Sequence, residues 1–305
     1  SAQQFIAPLT LQSLAHRRAV TDIWDEKYNF DVQHISLSDQ TDVLLIAPAT
    51  ANIIAKMANG IADDFLSTFY LACDTPVVVA PAMNTKMFNH VATQENIQKL
   101  KDRGVIFVEP GKGYLACGWE GQGRLAEIAT IVEATIQSLR LEKSLAGKKV
   151  VVTAGPTAED IDPMRFITNR SSGKMGYALA SEAKARGAEV VLISGPVELN
   201  CPFGVEVKPV RSADEMFHQV MKEAITADII CKVAAVADYR METTSEEKIK
   251  KSEDDLSLKL VRTKDILAEL GKLKEKPFLV GFAAESEDIL KQGIAKLKKK
   301  NADII

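Results

Sequence analysis

A strand-to-helix transition near the middle of the chain carries residue types suited to phosphate binding. The apolar run at residues 150–152 predicts a strand, and the small and apolar pattern at residues 175–185 predicts a helix. Residues 171–174 (SSGK) stand directly before that helix, where free N–H groups and the helix dipole attract anions. Either serine can cap the helix, and the glycine lets the backbone approach a ligand. An ordinary capped turn would use the same tetrapeptide, and for these four residues alone it is the favoured interpretation.

Polar residues at strand ends indicate a second kind of chemistry in the first half. Residues 48–52 (PATAN) and 81–84 (PAMN) follow apolar runs, and open parallel sheets bind ligands at such ends. His34 suits proton transfer, and Asn84 offers donors and an acceptor for a carboxylate. Cys117 lies in a glycine-rich segment and is a candidate acid. A lone histidine or cysteine is nevertheless more often structural.

Strands and helices alternate along both halves of the chain, which predicts an α/β fold. Continuous apolar strands are typical of parallel sheets that are covered on both faces. We predict strands at residues 43–47, 77–80, 105–108, 150–153, 190–194, 205–210, 229–233 and 278–280. We predict helices at residues 1–17 with a break at Pro8, and at 53–71, 92–103, 125–141, 175–186, 213–225, 264–272 and 289–300. The expected architecture is two Rossmann-like open parallel-sheet domains in tandem, residues 1–141 and 149–305, with a linker at 142–148.

Two further segments are predicted as loops. Residues 111–124 are rich in glycine and are expected to form an irregular functional loop. Residues 243–252 are highly charged, lie between predicted strands and are expected to form a mobile flap. The chain starts within a helical pattern and stops as residues 302–305 begin to resemble a strand, so we expect a fragment of a longer protein.

The composition limits the function classes. The chain has 305 residues, of which 46% are hydrophobic, and this is enough for two domain cores. The formal net charge is −3, with 38 basic and 41 acidic residues, which does not indicate a nucleic-acid or membrane-surface partner. No apolar run would span a bilayer and no signal peptide is visible. The four cysteines form no CxxC pair, which argues against a zinc site and a disulfide framework. A cytoplasmic protein is expected.

Five motifs of the first half, taken together, resemble the flavin-dependent cysteine decarboxylase family. They are His34-Ile35, residues 48–52, residues 58–64 (ANGIADD), residues 81–84 and residues 116–124 (ACGWEGQGR). The resemblance covers about residues 1–140 and implies a flavodoxin-like domain that binds FMN. It also implies oxidation of the thiol of phosphopantothenoylcysteine to a thioaldehyde, loss of carbon dioxide, and then reduction and protonation of the enethiolate.

The same resemblance implies roles for individual residues. His34 would be the base, Asn84 would bind the substrate carboxylate, and Cys117 would be the proton donor. The residues expected to line the flavin are Ser1, Ala47, Pro48, Thr50 and Met83.

The second half resembles the phosphopantothenate–cysteine ligase family. The resemblance rests on residues 162–176 (DPMRFITNRSSGKMG), preceded by residues 154–157 (AGPT). It implies that CTP activates 4′-phosphopantothenate as an acyl-cytidylate, that cysteine then attacks, and that Mg²⁺ arrives with CTP. Asn169 and Arg165 would hold the acyl-cytidylate, and Lys248 would be the catalytic lysine.

Further strings of the second half resemble the nucleotide loops of that family, namely residues 234–239 (AAVADY), 264–267 (KDIL) and 281–285 (GFAAE). Lys232 departs from the small or apolar residue expected there, and Lys264 stands where the family often has proline. Lys296 and Lys300 lie four residues apart on one helix face, which is by itself more typical of a solvated basic surface. The residues expected to bind CTP are Ser172, Gly173, Lys232, Val233, Ala234, Asp238, Lys248, Lys264, Asp265, Ile266, Leu267, Phe282, Lys296 and Lys300.

The two resemblances together predict a bifunctional enzyme of coenzyme A biosynthesis. A relative that kept the flavin fold and lost the chemistry is one alternative, and the joint presence of the five candidate catalytic residues argues against it. A dinucleotide oxidoreductase is another, and the absence of GxGxxG argues against that. The family suggests a homo-oligomer, with a trimer-based flavin half and a dimeric ligase half.

Overall fold

The computed structural model describes residues 2–24, 33–114, 120–139, 143–250, 256–283 and 288–305. Its internal contacts divide the chain into two compact units, Ser1–Leu139 and Arg140–Ile305. Each unit has its own core around a parallel sheet, so the predicted α/β fold class is confirmed. Within the described ranges, no helix combines the length and the apolar character needed to cross a membrane.

Helices pack on a short parallel sheet in the first unit. After a 3-10 turn at Ala2–Gln4, its elements are α1 (Pro8–Ala15), α2 (Gln33–Ser38), β1 (Leu44–Ala49), α3 (Ala51–Asn59), α4 (Phe65–Ala72), β2 (Val77–Pro81), α5 (Thr85–Phe88), α6 (Val91–Asp102), β3 (Ile106–Phe107), β4 (Gly111–Tyr114), β5 (Glu120–Arg124) and α7 (Ile128–Ser138). Strands β1, β2 and β3 pair in that order and in parallel. Ile54, Val79 and Leu100 are fully buried in the core between this sheet and its helices.

The structure corrects two predictions for the first unit and confirms a third. The single helix predicted over residues 53–71 is two helices, because Gly60 ends α3 at a φ of +67° and Asp64 begins α4. Asp64 accepts a hydrogen bond from Ser67 N at 2.8 Å, and Asp64 N donates to Ser67 Oγ at 3.1 Å, which is a capping box. The break expected at Pro8 is confirmed, because the 3-10 turn at Ala2–Gln4 ends before it and α1 begins at Pro8, where a helix needs no N–H. The segment predicted as an irregular loop contains the antiparallel pair β4 and β5.

A five-stranded parallel sheet forms the centre of the second unit. Its elements are β6 (Lys149–Ala154), β7 (Ala158–Asp162), β8 (Arg165–Thr168), α8 (Lys174–Ala185), β9 (Glu189–Ser194), β10 (Glu206–Pro209), α9 (Ala213–Ala224), β11 (Ile229–Lys232), β12 (Tyr239–Met241), β13 (Leu260–Arg262), α10 (Ile266–Leu270), β14 (Phe278–Gly281) and α11 (Ile289–Lys300). The strand order is β10-β9-β6-β11-β14. Val151 of β6 packs in one core cluster and Val150 and Val152 pack in the other, so the central strand is buried on both faces.

Two antiparallel pairs extend this unit beyond its parallel sheet. Strands β7 and β8 form a hairpin that precedes α8, in a segment for which the sequence predicted no strand. Strands β12 and β13 pair with each other and flank the predicted flap. The bridge between Val280 and Ile304 confirms strand character at the last described residues.

The expected serine cap of α8 is wrong. Its N-cap is Gly173, in the left-handed region with a φ of +73° and with no side-chain cap bond. A Cβ on this glycine would lie 2.9 Å from Val197 Cγ1 and 3.3 Å from Gly155 N. Gly173 is therefore required for its backbone conformation and for close packing against neighbouring loops.

Candidate functional sites

The ends of β1 and β2 come together in the first unit. Ala82 N, just after β2, donates to Ala49 O at 2.9 Å, which joins the loops that contain residues 48–52 and 81–84. Thr50 begins α3, and its side chain accepts a hydrogen bond from Ile53 N at 3.4 Å. Asn84 begins α5, and its Oδ1 accepts from Lys86 N at 2.8 Å. Capping thus fixes the position of both side chains at the carboxyl edge of the sheet.

The β4–β5 hairpin lies directly against the second of these loops. Met83 N donates to Gly123 O at 3.0 Å. A Cβ on Gly123 would lie 2.2 Å from Met83 O, and a Cβ on Gly121 would lie 2.6 Å from Thr85 Oγ1. Gly123 therefore allows a close approach to the Met83 backbone that a side chain would block, and Gly121 leaves room for the Thr85 side chain. The hairpin that leads to Cys117 is in this way brought to the loop that carries Asn84.

The structure does not bring the other predicted residues of the first site into these loop contacts. His34 is half-buried in α2, which packs on α4, and it takes no part in the loop contacts above. Ser1 and Cys117 lie outside the described residues. Ala47 and Pro48 are exposed, as is Leu45 with 39% of its surface accessible.

The residues present at this edge fit a flat aromatic cofactor. The exposed side chains of Leu45, Ala47 and Pro48 give it a small apolar surface. The buried Thr85 Oγ1 has no hydrogen-bond partner among the described residues and can donate to or accept from a ligand. FMN has both the planar ring and the polar edge that these groups require.

A cavity of about 580 Å³ lies in the second unit, beyond the carboxyl ends of β11 and β14. It has the size of a small-molecule site and the position that open parallel sheets use for ligands. The predicted CTP residues that line it are Lys232, Asp238, Lys264, Asp265, Ile266, Leu267, Phe282, Lys296 and Lys300.

Hydrogen bonds and ion pairs fix the walls of this cavity. Asp265 begins α10 by accepting from Ala268 N at 3.0 Å, and it also forms an ion pair with Lys300 of α11. Burial acts to raise the pKa of Asp265, but its Lys300 and Ala268 partners outweigh burial, and the pKa is lowered. Thr263 Oγ1 donates to Ala237 O at 2.6 Å, which joins the loop after β13 to the loop after β11.

Lys232 is the last residue of β11 and places an ammonium group in the cavity. Burial lowers its pKa, and the nearby Lys300 acts in the same direction. The carboxylates of Asp265 and Asp238 partly offset this effect. A poorly solvated cation of this kind gains most when an anionic ligand binds beside it.

Lys264 is engaged with α9. Its Nζ lies 3.3 Å from Asp214 Oδ1 and 4.5 Å from the centroid of the Phe217 ring. The residue that replaces the usual proline therefore attaches the loop before α10 to a neighbouring helix by an ion pair and a cation–π contact.

Several predicted nucleotide residues do not line the cavity. Val233 N and Ala234 N each donate to Thr153 Oγ1 at 3.1 Å, so their backbone donors already have a protein partner. Gly173 packs against Gly155, as described above, and Ser172 and Lys248 are likewise absent from the cavity wall.

Asn169 connects the β7–β8 hairpin region to the rim of the cavity. Its Nδ2 donates to Ala235 O at 3.2 Å and to Val236 O at 3.1 Å, and Val236 lines the cavity. Arg165 is bound to Asp162, with 3.0 Å between its Nε and Asp162 Oδ2. Lys248 is exposed and precedes Ile249, whose carbonyl accepts from Arg165 Nη2 at 2.9 Å.

Sequence reasoning missed some residues of this site. Arg262 at the end of β13 lines the cavity and adds a cation, and its position two residues before the KDIL string was the available signal. Thr153 and Thr157 are fully buried and bond the backbone of the loop after β11, but a single threonine in a strand gives no sequence signal. Lys251 of the predicted flap and Ala284 and Glu285 of the string at residues 281–285 lie outside the described residues.

Two protein-family models match the chain and show its class. Residues 1–140 match the family model described as Flavoprotein, and residues 145–305 match DNA/pantothenate metabolism flavoprotein C-terminal domain. The chain is therefore a two-domain flavoprotein.

Individual relatives define the family further. The chain is 49% identical over 308 residues to the Coenzyme A biosynthesis bifunctional protein CoaBC of Bacillus subtilis, covering 100% of this chain and 76% of that protein. It is 46% identical to the protein of that name from Vibrio cholerae, covering 100% and 77%. The chain belongs to the family of bifunctional coenzyme A biosynthesis proteins, with a decarboxylase domain followed by a ligase domain.

One further relative has a different name, and one solved structure has the same name. A cysteine/cysteine sulfinic acid decarboxylase from an unknown prokaryotic organism is 46% identical, covering 98% of this chain and 85% of that protein. A crystal structure of the C-terminal domain of a coenzyme A biosynthesis bifunctional protein matches with 45% identity and a TM-score of 0.48, covering 53% of this chain and 78% of that chain.

Proposed function

We propose that the cavity of the second unit binds CTP and activates the carboxylate of 4′-phosphopantothenate. The observation that carries this proposal is the gathering of Lys232, Arg262, Lys296 and Lys300 with an exposed aromatic ring, Phe282, in one cavity. Cations neutralise a triphosphate, and an aromatic ring stacks on a base. Mg²⁺ enters this scheme with the nucleotide phosphates.

The proposed reaction has two steps. A carboxylate oxygen of phosphopantothenate bonds to the α-phosphorus of CTP, and pyrophosphate leaves. The amine of cysteine then bonds to the acyl carbon, CMP leaves, and the amine loses a proton. Asn169 and Arg165 hold the acyl-cytidylate, and Lys248 acts on the phosphates from the flap.

The first unit then acts on the ligation product. Ala47, Pro48, Thr50 and Met83 hold FMN, which accepts and returns a pair of electrons. Ser1 completes that site. Asn84 binds the carboxylate that is lost as carbon dioxide, His34 removes a proton, and Cys117 returns one. The substrates and the homo-oligomeric assembly expected from the family belong to this proposal.

The test is a nucleotide-dependence assay on the full chain. Pyrophosphate release should require both CTP and phosphopantothenate, and added cysteine should give the amide and CMP. Equal release with ATP would contradict cytosine recognition in the cavity. For the first unit, free cysteine is the informative competitor substrate, because one relative is named for its decarboxylation. Faster carbon dioxide release from free cysteine than from phosphopantothenoylcysteine would contradict the proposal that the first unit acts on the ligation product.

A further inference from the structure

A buried carboxylate at the tip of the β7–β8 hairpin binds the flap as well as its own hairpin. The side chain of Asp162 has 0% of its surface exposed. Its Oδ1 accepts from Met164 N and from Arg165 N, both at 2.9 Å. Its Oδ2 accepts from Arg165 Nε at 3.0 Å and from Ile249 N at 3.1 Å. These donors compensate the cost of burying the charge. The hydrogen bonds also fix the orientation of the Asp162 carboxylate.

Arg165 also links Asp162 to the backbone of Ile249. Its Nη2 lies 2.5 Å from Asp162 Oδ2 and also donates to Ile249 O at 2.9 Å. Both backbone groups of Ile249 are thus bonded to the Asp162–Arg165 pair. The hydrogen bonds of Arg165 hold the pKa of Asp162 well below its ordinary range, with smaller help from backbone donors, so the carboxylate stays charged at any working pH.

The same hairpin holds the beginning of the flap. Ser245 N donates to Ile161 O at 3.0 Å, and Thr244 Oγ1 donates to Asp160 O at 3.3 Å. The flap is therefore attached to β7 on both sides of Lys248. This position contradicts the expectation of a freely mobile segment for the part of the flap up to Ile249.

We propose that Asp162 is a positioning residue for the ligase reaction, which fixes Lys248 through the backbone of Ile249 and orients Arg165. The inference rests on the proposed ligase function and deepens it. Lys248 is exposed and belongs to the segment between Ser245 and Ile249, so the two anchor points decide where its ammonium group can reach. Arg165 in turn mainly holds Asp162 and Ile249 in place. Only its remaining N–H groups contact the acyl-cytidylate.

A tryptic cleavage assay tests the attachment without relying on activity. Trypsin must unfold the chain locally around Lys248, and the bonds to Ile249 oppose that opening. Asp162→Asn removes the charge and should accelerate cleavage after Lys248 at least about tenfold, because losing about 1.4 kcal/mol of local stability changes the open population tenfold. Asp160→Asn is the matched control, since this exposed carboxylate on the same strand pairs with Arg211 and its side chain does not contact the flap. It should be cleaved like the wild type.

Kinetics test the consequence for the reaction. Asp162→Asn should lower kcat for CTP-dependent pyrophosphate release at least about tenfold, with little change in the KM for CTP, because a misplaced group loses transition-state contacts. In a Lys248→Gln background the same substitution should lower kcat by less than about twofold, since coupled residues are not additive. A full additional loss in that background would overturn the role through Lys248. Unchanged cleavage and unchanged kcat in folded Asp162→Asn would overturn the inference altogether.

A second variant covers the case in which Asp162→Asn does not fold. Ile249→Pro removes the N–H whose hydrogen bond Asp162 accepts and restricts the backbone at residues 248 and 249, while it leaves the buried carboxylate in place. It should speed cleavage after Lys250 and lower kcat in the same way, and wild-type values for both would overturn the inference. If the wild type released no pyrophosphate while Asp162→Asn still sped cleavage after Lys248, the ligase function would fail and the attachment of the flap would stand.

Discussion

At the residue scale, Asn169 is the clearest link between the hairpin and the cavity. Asn169→Asp removes both N–H donors and places a carboxylate against the carbonyl oxygens of Ala235 and Val236. We expect pyrophosphate release to continue and amide formation to fall by about a hundredfold or more, the usual cost of losing an oriented donor. Both products can be measured in one reaction.

The control for Asn169 is its neighbour. Thr168 Oγ1 donates to Thr157 O at 2.8 Å, so Thr168→Val removes a hydrogen bond from the same segment without touching the cavity rim. This variant should retain amide formation. An Asn169→Asp enzyme that makes the amide at the wild-type rate would remove Asn169 from the proposed site.

Lys232 presents a conflict between stability and binding. Burial lowers its pKa, so the charged form is disfavoured in the folded protein. Lys232→Met keeps the length of the side chain and removes the charge. We expect a higher melting temperature without ligand and CTP binding weaker by about tenfold, or 1.4 kcal/mol. Calorimetry and CTP titration measure the two effects.

The effect of Lys232 should also depend on pH. A lysine with a lowered folded pKa destabilises the protein fully below that pKa, and the penalty disappears as pH rises through the folded value towards the unfolded one. The stabilisation by Lys232→Met should therefore be greatest at the acidic end of the pH range and shrink as pH rises towards the ordinary lysine pKa of about 10.4. A lower melting temperature for Lys232→Met than for the wild type at acidic pH would mean that attraction to Asp265 and Asp238 outweighs burial.

At the element scale, the β4–β5 hairpin offers a matched pair of glycines. Gly123 and Gly113 have φ values of +142° and +150°, so alanine is strained at both. Only at Gly123 would the new Cβ meet another atom, 2.2 Å from Met83 O, whereas at Gly113 it meets nothing within 4 Å. We expect Gly123→Ala to cost about 1–3 kcal/mol more than Gly113→Ala, because it forces the hairpin away from the loop.

Flavin retention is the readout that separates these two variants. If the hairpin must lie on the Met83 loop to complete the flavin site, Gly123→Ala should lose bound FMN and Gly113→Ala should keep most of it. Equal melting temperatures and equal flavin absorbance for the two variants would show that the close approach is unimportant.

The elements also show what the sequence could and could not predict. Long apolar strands such as β6 and β9 were predicted almost to the residue, because a parallel strand buried on both faces has an unmistakable composition. The hairpin β7–β8 was missed because it contains three acidic residues, two of which, Glu159 and Asp160, have partners distant in sequence. The break at Gly60 was missed because an apolar helical period continues across it, and only the capping box of Asp64 reveals a second start.

The candidate sites show the same limit. The motif strings identified most residues of the cavity, and the structure adds how they are held. The bonds of Ile249 to Asp162, 87 positions away, and of Val233 to Thr153, 80 positions away, depend on tertiary pairing. No local pattern in the sequence encodes such contacts.

At the scale of the whole molecule, the chain consists of two units with separate cores. The core around Ile54 and Val79 belongs to the first unit, and the cores on the two faces of β6 belong to the second. The two family models meet near the same boundary, ending at residue 140 and starting at residue 145. Domains with their own cores can unfold separately, so a ligand of one unit should stabilise that unit alone.

Calorimetry of the full chain with CTP tests this separation. We expect two unfolding transitions, of which CTP at a hundred times its Kd stabilises one by about 2.7 kcal/mol, or roughly 5–11 °C for a unit of this size. FMN should raise the other transition and leave the first in place, which makes the two ligands reciprocal controls. The Lys232→Met protein should show a smaller CTP shift and an unchanged FMN shift. A CTP shift in the transition that FMN also raises would contradict the assignment of the nucleotide cavity to the second unit.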